Sequence, residues 1–220
     1  MPVSEVKCCD CMDFMAQFPD KFFHLAIVDP PYGIGISNTR EIGYRGMNVF
    51  TPKQWDNEPL DEAYFNELFR VSKNQIIWGG NYFPLKPSRC FIIWDKGEGF
   101  YNRSYAEAEL AWTSFDANVK IFKRDPLARG DYRGKIHPTQ KPVALYIWLL
   151  ENYAKPGDKI LDTHMGSQSS RIAAWKMGFD YWGCEIDQEY FDQGCARFEE
   201  ERRQSSLFAH PDEPQQEALF

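Results

Sequence analysis

An apolar run, Phe22-Phe23-His24-Leu25-Ala26-Ile27-Val28, that stops at Asp29-Pro30-Pro31-Tyr32 constrains this chain more than any other stretch. A run this apolar and this short reads as a buried strand. Proline lacks the N–H that a sheet ladder needs, so two in succession end the strand. An acid and an aromatic are thereby held at the tip of a core element. A carboxylate oxygen of Asp29 and the Pro30 carbonyl can both accept hydrogen bonds from one NH2 group, and the Tyr32 ring can stack on a planar base. That set suits chemistry on the exocyclic amine of a nucleobase swung out of its helix. The plainer alternative is punctuation between a strand and a turn in any α/β protein.

The remaining pattern agrees with an α/β chain. Strands are expected over residues 3–9, 23–28, 75–78, 90–94, 109–115, 159–162 and 181–184, and helices over 11–18, 59–71, 142–153, 169–177 and 187–202. Pro59 suits a first helical turn, Asp187 an N-cap, and Gly178 the end of a helix. The long Gly-containing stretch 33–57 reads as a functional loop. Strands alternating with helices predict a doubly wound, mostly parallel sheet with its site at the strand C-terminal ends. At 220 residues the chain fits one domain.

Six cysteines are too few for a disulfide scaffold. Cys8, Cys9 and Cys11 cluster without a second pair at zinc spacing, so no metal is expected. No apolar run reaches membrane-spanning length, and the start does not look like a signal peptide; a cytoplasmic protein is expected. A net charge of −7 argues against nucleic-acid binding by global charge. Locally the balance reverses. Lys120, Lys123, Arg124, Arg129, Arg133 and Lys135 stand against Asp125 and Asp131, a local charge of +4, and Arg40, Arg45 and Lys53 stand against Glu41. Glycines and tyrosines interleave both stretches, which suits phosphates and splayed bases; a solvated loop is the blander reading.

A second constellation lies downstream. Lys159 to Asp162 is strand-like, Thr163-His164-Met165-Gly166-Ser167-Gln168 is a turn of mostly small residues, and Ser169 opens a helix. Such a turn lets a ligand reach backbone N–H groups. Gly183-Cys184-Glu185 then puts an acid at the next strand end, where ribose hydroxyls can be bound.

With both constellations, residues 3–203 resemble the S-adenosylmethionine-dependent DNA amino-methyltransferases, in the group whose catalytic motif precedes the cofactor motif. The resemblance implies a single-domain fold of that type in circularly permuted order. A catalytic half (1–115) would be followed by a short target-recognition loop (116–136) and a cofactor half (137–203). It implies that Asp29, Pro30, Pro31 and Tyr32 are catalytic. S-adenosylmethionine would be held by Asp10 and Cys11 at its adenine and by His137, Thr139 and Lys141 at its methionine end. Asp29, Asp162, His164, Gly166, Ser167, Ser169 and Glu185 would complete that site. Double-stranded DNA is the implied partner, through Arg40, Arg45, Lys123, Arg124, Arg129, Arg133 and Lys135; a homodimer is left open. The implied reaction is methylation of adenine N6, with cytosine N4 and a non-catalytic relic as alternatives.

The chain departs from the family's Asp-Pro-Phe-x-Gly-Ser-Gly at three positions: Thr163 for Pro, His164 for Phe and Gln168 for the second Gly. Gln168 stands where a glycine's freedom is expected, which bears on how tightly the cofactor is held. The tail, 204–220, is expected to be disordered. Within it Gln204-Ser205-Ser206-Leu207-Phe208 and Gln216-Glu217-Ala218-Leu219-Phe220 share the spacing Gln-x-x-Leu-Phe. That spacing resembles the peptide with which bacterial DNA-processing proteins dock on the replication sliding clamp, or arises by chance in a polar tail.

Overall fold

Eight strands and five α-helices alternate along the computed structural model, which describes residues 2–38, 50–132 and 134–208. In chain order they are β1 (Ser4–Cys8), α1 (Cys11–Met15), β2 (Phe23–Val28), α2 (Glu62–Val71), β3 (Ser72–Trp78), β4 (Phe91–Asp95), β5 (Ala108–Thr113), β6 (Lys120–Lys123), α3 (Val143–Tyr153), β7 (Lys159–Asp162), α4 (Ser169–Lys176), β8 (Asp180–Glu185) and α5 (Gln188–Phe208). The strands form one sheet in the order β1-β8-β7-β2-β3-β5-β4-β6. All neighbours are parallel except β5, which runs antiparallel to both β3 and β4. The mostly parallel, doubly wound architecture is therefore the one expected.

Burial explains the central strands. Residues 25–28 of β2 are all buried, because helices cover both faces of the sheet. On one face Leu25, Ile27, Ile76 and Trp78 pack with Leu145 and Leu149 of α3 and Ala173 and Ala174 of α4. On the other, Phe23, Ala26, Val28 and Ile77 pack with Phe14 of α1 and Tyr64, Phe65 and Leu68 of α2. From β2 the chain winds towards β3; from β7 it winds towards β8. The sheet thus reverses direction between β2 and β7, whose ends open the crevice where such folds place a ligand.

Three expectations need correction. The helix placed from Pro59 begins at Glu62, with the Asp61 carboxylate accepting from the Tyr64 N–H as its cap. Pro59 instead forms a bridge with Tyr32. The stretch 116–136 is not all loop, because Lys120–Lys123 add a strand beside β4; its exposed Lys120 and Ile121 gave no burial signal. Finally, α5 reaches Phe208, beyond the point where the tail was expected to lose structure, so the Gln204 copy of the repeated spacing falls on helical backbone. The Gln216 copy lies outside the described residues. The Asp187 cap stands: its Oδ1 accepts from the N–H groups of Glu189 and Tyr190. No helix among the described residues is long and apolar enough to cross a membrane.

A candidate active site between two cavities

Two cavities meet at the reversal point. The larger, about 720 Å³, is lined by Asp29-Pro30-Pro31-Tyr32, by Tyr82 and by side chains of the β4–β5 connection and residues 126–135. The smaller, about 200 Å³, runs along the ends of β1, β7 and β8. Asp29, Pro31, Trp55, Thr139 and Lys141 line both. Asp29 and Pro31 of the strand-ending tetrapeptide are therefore shared wall, while Pro30 and Tyr32 line the larger cavity alone.

Asp29 follows β2 directly, and its carboxylate is held from two sides. The Tyr32 hydroxyl donates to Oδ1 at 2.6 Å and the Lys141 ammonium donates to Oδ2. Burial pushes the carboxyl pKa up, against the opposing pull of Lys141. Lys141, 3 % exposed, also bonds Glu109 at 3.1 Å; burial opposes its charge, but the Asp29 and Glu109 carboxylates outweigh burial and raise its pKa. Each Asp29 oxygen accepts one hydrogen bond and retains capacity for another. Tyr32 lies against Gly79, whose φ of +69° and absent Cβ leave the room: a β-carbon there would sit 2.2 Å from the ring. Tyr82 stacks on Tyr32 with centroids 5.0 Å apart. Behind the tetrapeptide, the buried Asp56 carboxylate accepts from the backbone N–H groups of Tyr32, Gly33 and Ile36 and fixes the chain's exit.

The smaller cavity gathers most residues that the resemblance implies for the cofactor: Asp10, Cys11, Asp29, His137, Thr139, Lys141, His164, Gly166, Ser167 and Glu185. Asp162 and Ser169, expected with them, do not line it. Asp162 is buried, accepts from the Ser170 hydroxyl and the His164 N–H, and is pushed up to about 7 by burial. Glu185 accepts from the N–H groups of Gly166 and Asp187, so it shapes the turn as well as facing the cavity. Asp10 caps α1 through Oδ1. His137 packs between Trp55 and Tyr190, and burial drops its pKa to about 3. Its Nδ1 accepts from the Thr139 N–H, which leaves the proton on Nε2. The lining fits an adenosyl cofactor: carboxylates of Asp10 and Glu185 for an amine and hydroxyls, and a flat aromatic wall at Trp55 and His137.

The three departures in the turn have structural reasons. The Tyr64 hydroxyl, Thr163 Oγ1 and His164 Nδ1 form a continuous hydrogen-bonded row at 2.7 and 3.0 Å. Gln168 does occupy the left-handed conformation, φ 58°. Its side chain turns from both cavities towards α5, donating to the Phe191 carbonyl and accepting from Arg171.

The basic residues divide. Lys123 and Arg129 are exposed, and Arg124 is bound by Asp131 through two contacts of 2.7 and 2.8 Å. Lys135, expected on a solvent-facing loop, is buried in the larger cavity over the Tyr132 ring at 4.2 Å; burial drops its pKa to about 7, against the pull of Glu109. Arg40, Arg45 and Arg133 lie outside the described residues. Sequence reasoning missed Trp55, Asp56, Tyr82, Lys96 and Glu109, although the Gly79-Gly80-Asn81 turn marked the place where Tyr82 enters.

The comparisons with known proteins agree with this geometry. The family model described as "DNA methylase", of the N6/N4 type, matches residues 104–195, which include Asp162 to Glu185 but not the tetrapeptide. The chain is 29 % identical to YubD of Escherichia coli (strain K12), a protein named as a methylase, over 86 % of this chain and 87 % of that one. It shares its fold with the crystal structure of the M1.HpyAVI–SAM complex, at a TM-score of 0.58 and 17 % identity over 88 % of this chain and 98 % of that one. The cytosine-N4-specific PvuII DNA methyltransferase also shares it, at a TM-score of 0.56 and 14 % identity over 92 % of each chain.

Gln168→Gly should lower stability by roughly 1–2 kcal/mol. The lost buried hydrogen bonds and packing outweigh the relief of a left-handed backbone. Urea unfolding measures the change; unchanged or increased stability would contradict the bracing role given to this side chain.

Proposed function

We propose that this chain is an S-adenosylmethionine-dependent DNA methyltransferase of the N6/N4 family and that the amine it methylates is N6 of adenine. The observation that carries the reading is the position of Asp29-Pro30-Pro31-Tyr32 as the wall between two cavities, one for the cofactor and one for a flipped base. Asp at the first position of the tetrapeptide goes more often with adenine in the resembling family. Cytosine N4 is the second reading, because an enzyme with that specificity shares the fold.

Bound S-adenosylmethionine would supply a methyl group on a sulfonium. His137, Glu185, Asp10 and the Gly166 turn would hold it in the smaller cavity. The N6 amine is a poor nucleophile, because its lone pair is delocalised into the ring. Accepting its two hydrogens on the Asp29 carboxylate and the Pro30 carbonyl favours a pyramidal nitrogen with a freed lone pair. Holding that nitrogen beside the cofactor cavity supplies proximity. The charge that develops on it is stabilised by a fixed anion in a nearly dry site. Tyr32, with Tyr82 beside it, offers a stacking surface for the base. Of the basic residues expected at DNA, Lys123 and Arg129 are exposed, and they would meet phosphates.

Asp29→Ala should abolish transfer of labelled methyl groups to unmethylated duplex DNA, with cofactor affinity kept within about tenfold. Transfer above a few per cent of wild type would refute the role, and label recovered in N4-methylcytosine would replace adenine. Tyr32→Phe removes the hydroxyl bond to Asp29 and should slow transfer roughly tenfold; Tyr32→Ala also removes the stack and should cost roughly 1–3 kcal/mol more. Equal losses would contradict a stacking role. The repeated Gln-x-x-Leu-Phe supports docking on a sliding clamp. The intact protein should bind a bacterial clamp in the micromolar range, and changing Leu219 and Phe220 to Ala, or Leu207 and Phe208 to Ala, should remove that binding. Absence of wild-type binding ends that proposal.

A further inference from the structure

Four charged side chains from four places in the chain form one row in the wall of the larger cavity, and two of them have no part in the reaction described so far. Lys96 follows β4, Glu109 lies in β5, Lys141 precedes α3 and Asp29 follows β2. The Lys96 Nζ is 2.7 Å from Glu109 Oε1. The other Glu109 oxygen, Oε2, is 3.1 Å from the Lys141 Nζ, which in turn bonds Asp29 Oδ2. Charges alternate along the row, cation, anion, cation, anion. Lys96 and Lys141 are 7 % and 3 % exposed, and their ammonium groups lie 5.3 Å from the rings of Trp94 and Trp78.

We infer that Glu109 is a positioning residue for Asp29, acting through Lys141, and that Lys96 sets the strength of that action. The inference rests on the reading of Asp29 as the acceptor of the target amine's hydrogens. A lysine ammonium is a compact point charge on a flexible four-carbon stem. Held by Asp29 alone, it could swing around the carboxylate. Glu109 takes a second of its three donors from the opposite side and fixes where it stands. Glu109 brings a cost, since its own negative charge opposes that of Asp29 across a poorly screened cavity. Lys96 offsets the cost by pairing with the far oxygen of Glu109. The row is neutral as a whole, which allows four charges to be buried together. Consistent with this order, the Glu109 carboxyl is held down at about 2 despite its burial, by Lys141 and Lys96.

The groups that act on Asp29 come from every side. Lys141, Tyr32 and Glu109 face it in the cavity, and Tyr146 of α3 and Asp162 of β7 lie towards the sheet. Lys135 adds a further cation near Lys96, Glu109 and Lys141. An ion pair that merely tied the β4–β5 hairpin to the sheet would change stability and slow transfer equally at all pH values. A row that works through charge would move the acid limb of the rate profile, with a sign fixed by the charge removed.

The test is single-turnover methyl transfer against pH, with saturating S-adenosylmethionine and duplex DNA. Asp29 has to be ionised to work, so the rate falls on the acid side. Lys141→Met should raise that limb by about one pH unit or more, because protonation of Asp29 no longer competes with a cation. Lys96→Met should raise it less, by leaving Glu109 uncompensated. Glu109→Gln alone should slow transfer on the pH plateau, because Lys141 is no longer fixed, and should slow it no further in the Lys141→Met protein; there it should instead lower the limb by roughly half a unit, because a repelling carboxylate is gone. Circular dichroism and urea unfolding report whether each variant is folded, since Lys141 itself lines the smaller cavity, and Lys96→Gln replaces Lys96→Met if the latter does not fold. Opposite shifts on removing Lys96 and Glu109 support the inference. Shifts of the same sign, or limbs that stay in place while rates fall, overturn it. If Asp29→Ala is inactive and the limbs do not move, this inference alone fails; if Asp29→Ala still transfers methyl groups, the reading of Asp29 fails with it.

Discussion

The contact between the Lys141 ammonium and the Asp29 carboxylate is what the rest of the site is built around. Both groups are withdrawn from bulk water at the end of the central strand pair. Burial alone would favour a neutral carboxyl, which turns one oxygen into a donor and carries no charge to set against a developing cation. The Lys141 ammonium and the Tyr32 hydroxyl oppose burial by favouring the charged form, and they set its direction. Each is itself positioned by another element. Gly79 leaves room for the Tyr32 ring, Asp56 fixes the backbone beyond it, and Glu109 holds Lys141 from β5. An exposed pair of this kind would contribute little. A buried one is costly to break from one side, because it leaves an uncompensated charge.

The parts of this arrangement that depend on neighbours in sequence were legible. The strand before Asp29, the strand ending at Asp162 and the acid at Glu185 follow from apolar runs stopped by turn residues. They fall at the reversal point because a parallel sheet brings strand C-terminal ends together. Lys96 and Glu109 were not legible, because they meet Lys141 through an antiparallel hairpin whose register no local pattern specifies. Lys135 looked like a phosphate contact because it stands in a basic stretch. Its burial comes from the β4–β5 side of the cavity, far away in sequence. The strand β6 was missed for a related reason: as a sheet edge, it is mostly exposed and lacks the burial pattern by which strands are recognised.

The departures in the cofactor turn show how a motif can change its letters and keep its shape. A left-handed residue is still needed before α4, and Gln168 fills it at a backbone cost that its bonds to Arg171 and α5 offset. Thr163 and His164 replace an apolar pair with a hydrogen-bonded row reaching Tyr64 of α2. Burial drops His164 to about 4, so it remains neutral and packs as a flat ring. The turn therefore supports the smaller cavity with polar contacts where the resembling family uses apolar ones.

The most direct test of the account is a structure of the protein with duplex DNA and an unreactive S-adenosylmethionine analogue. The account predicts the analogue in the cavity lined by Glu185 and His137 and a flipped adenine in the larger one. Its exocyclic nitrogen should lie at hydrogen-bond distance, roughly 2.6–3.2 Å, from both an Asp29 carboxylate oxygen and the Pro30 carbonyl. An exocyclic amine turned away from Asp29, or an analogue seated in the larger cavity, would contradict it.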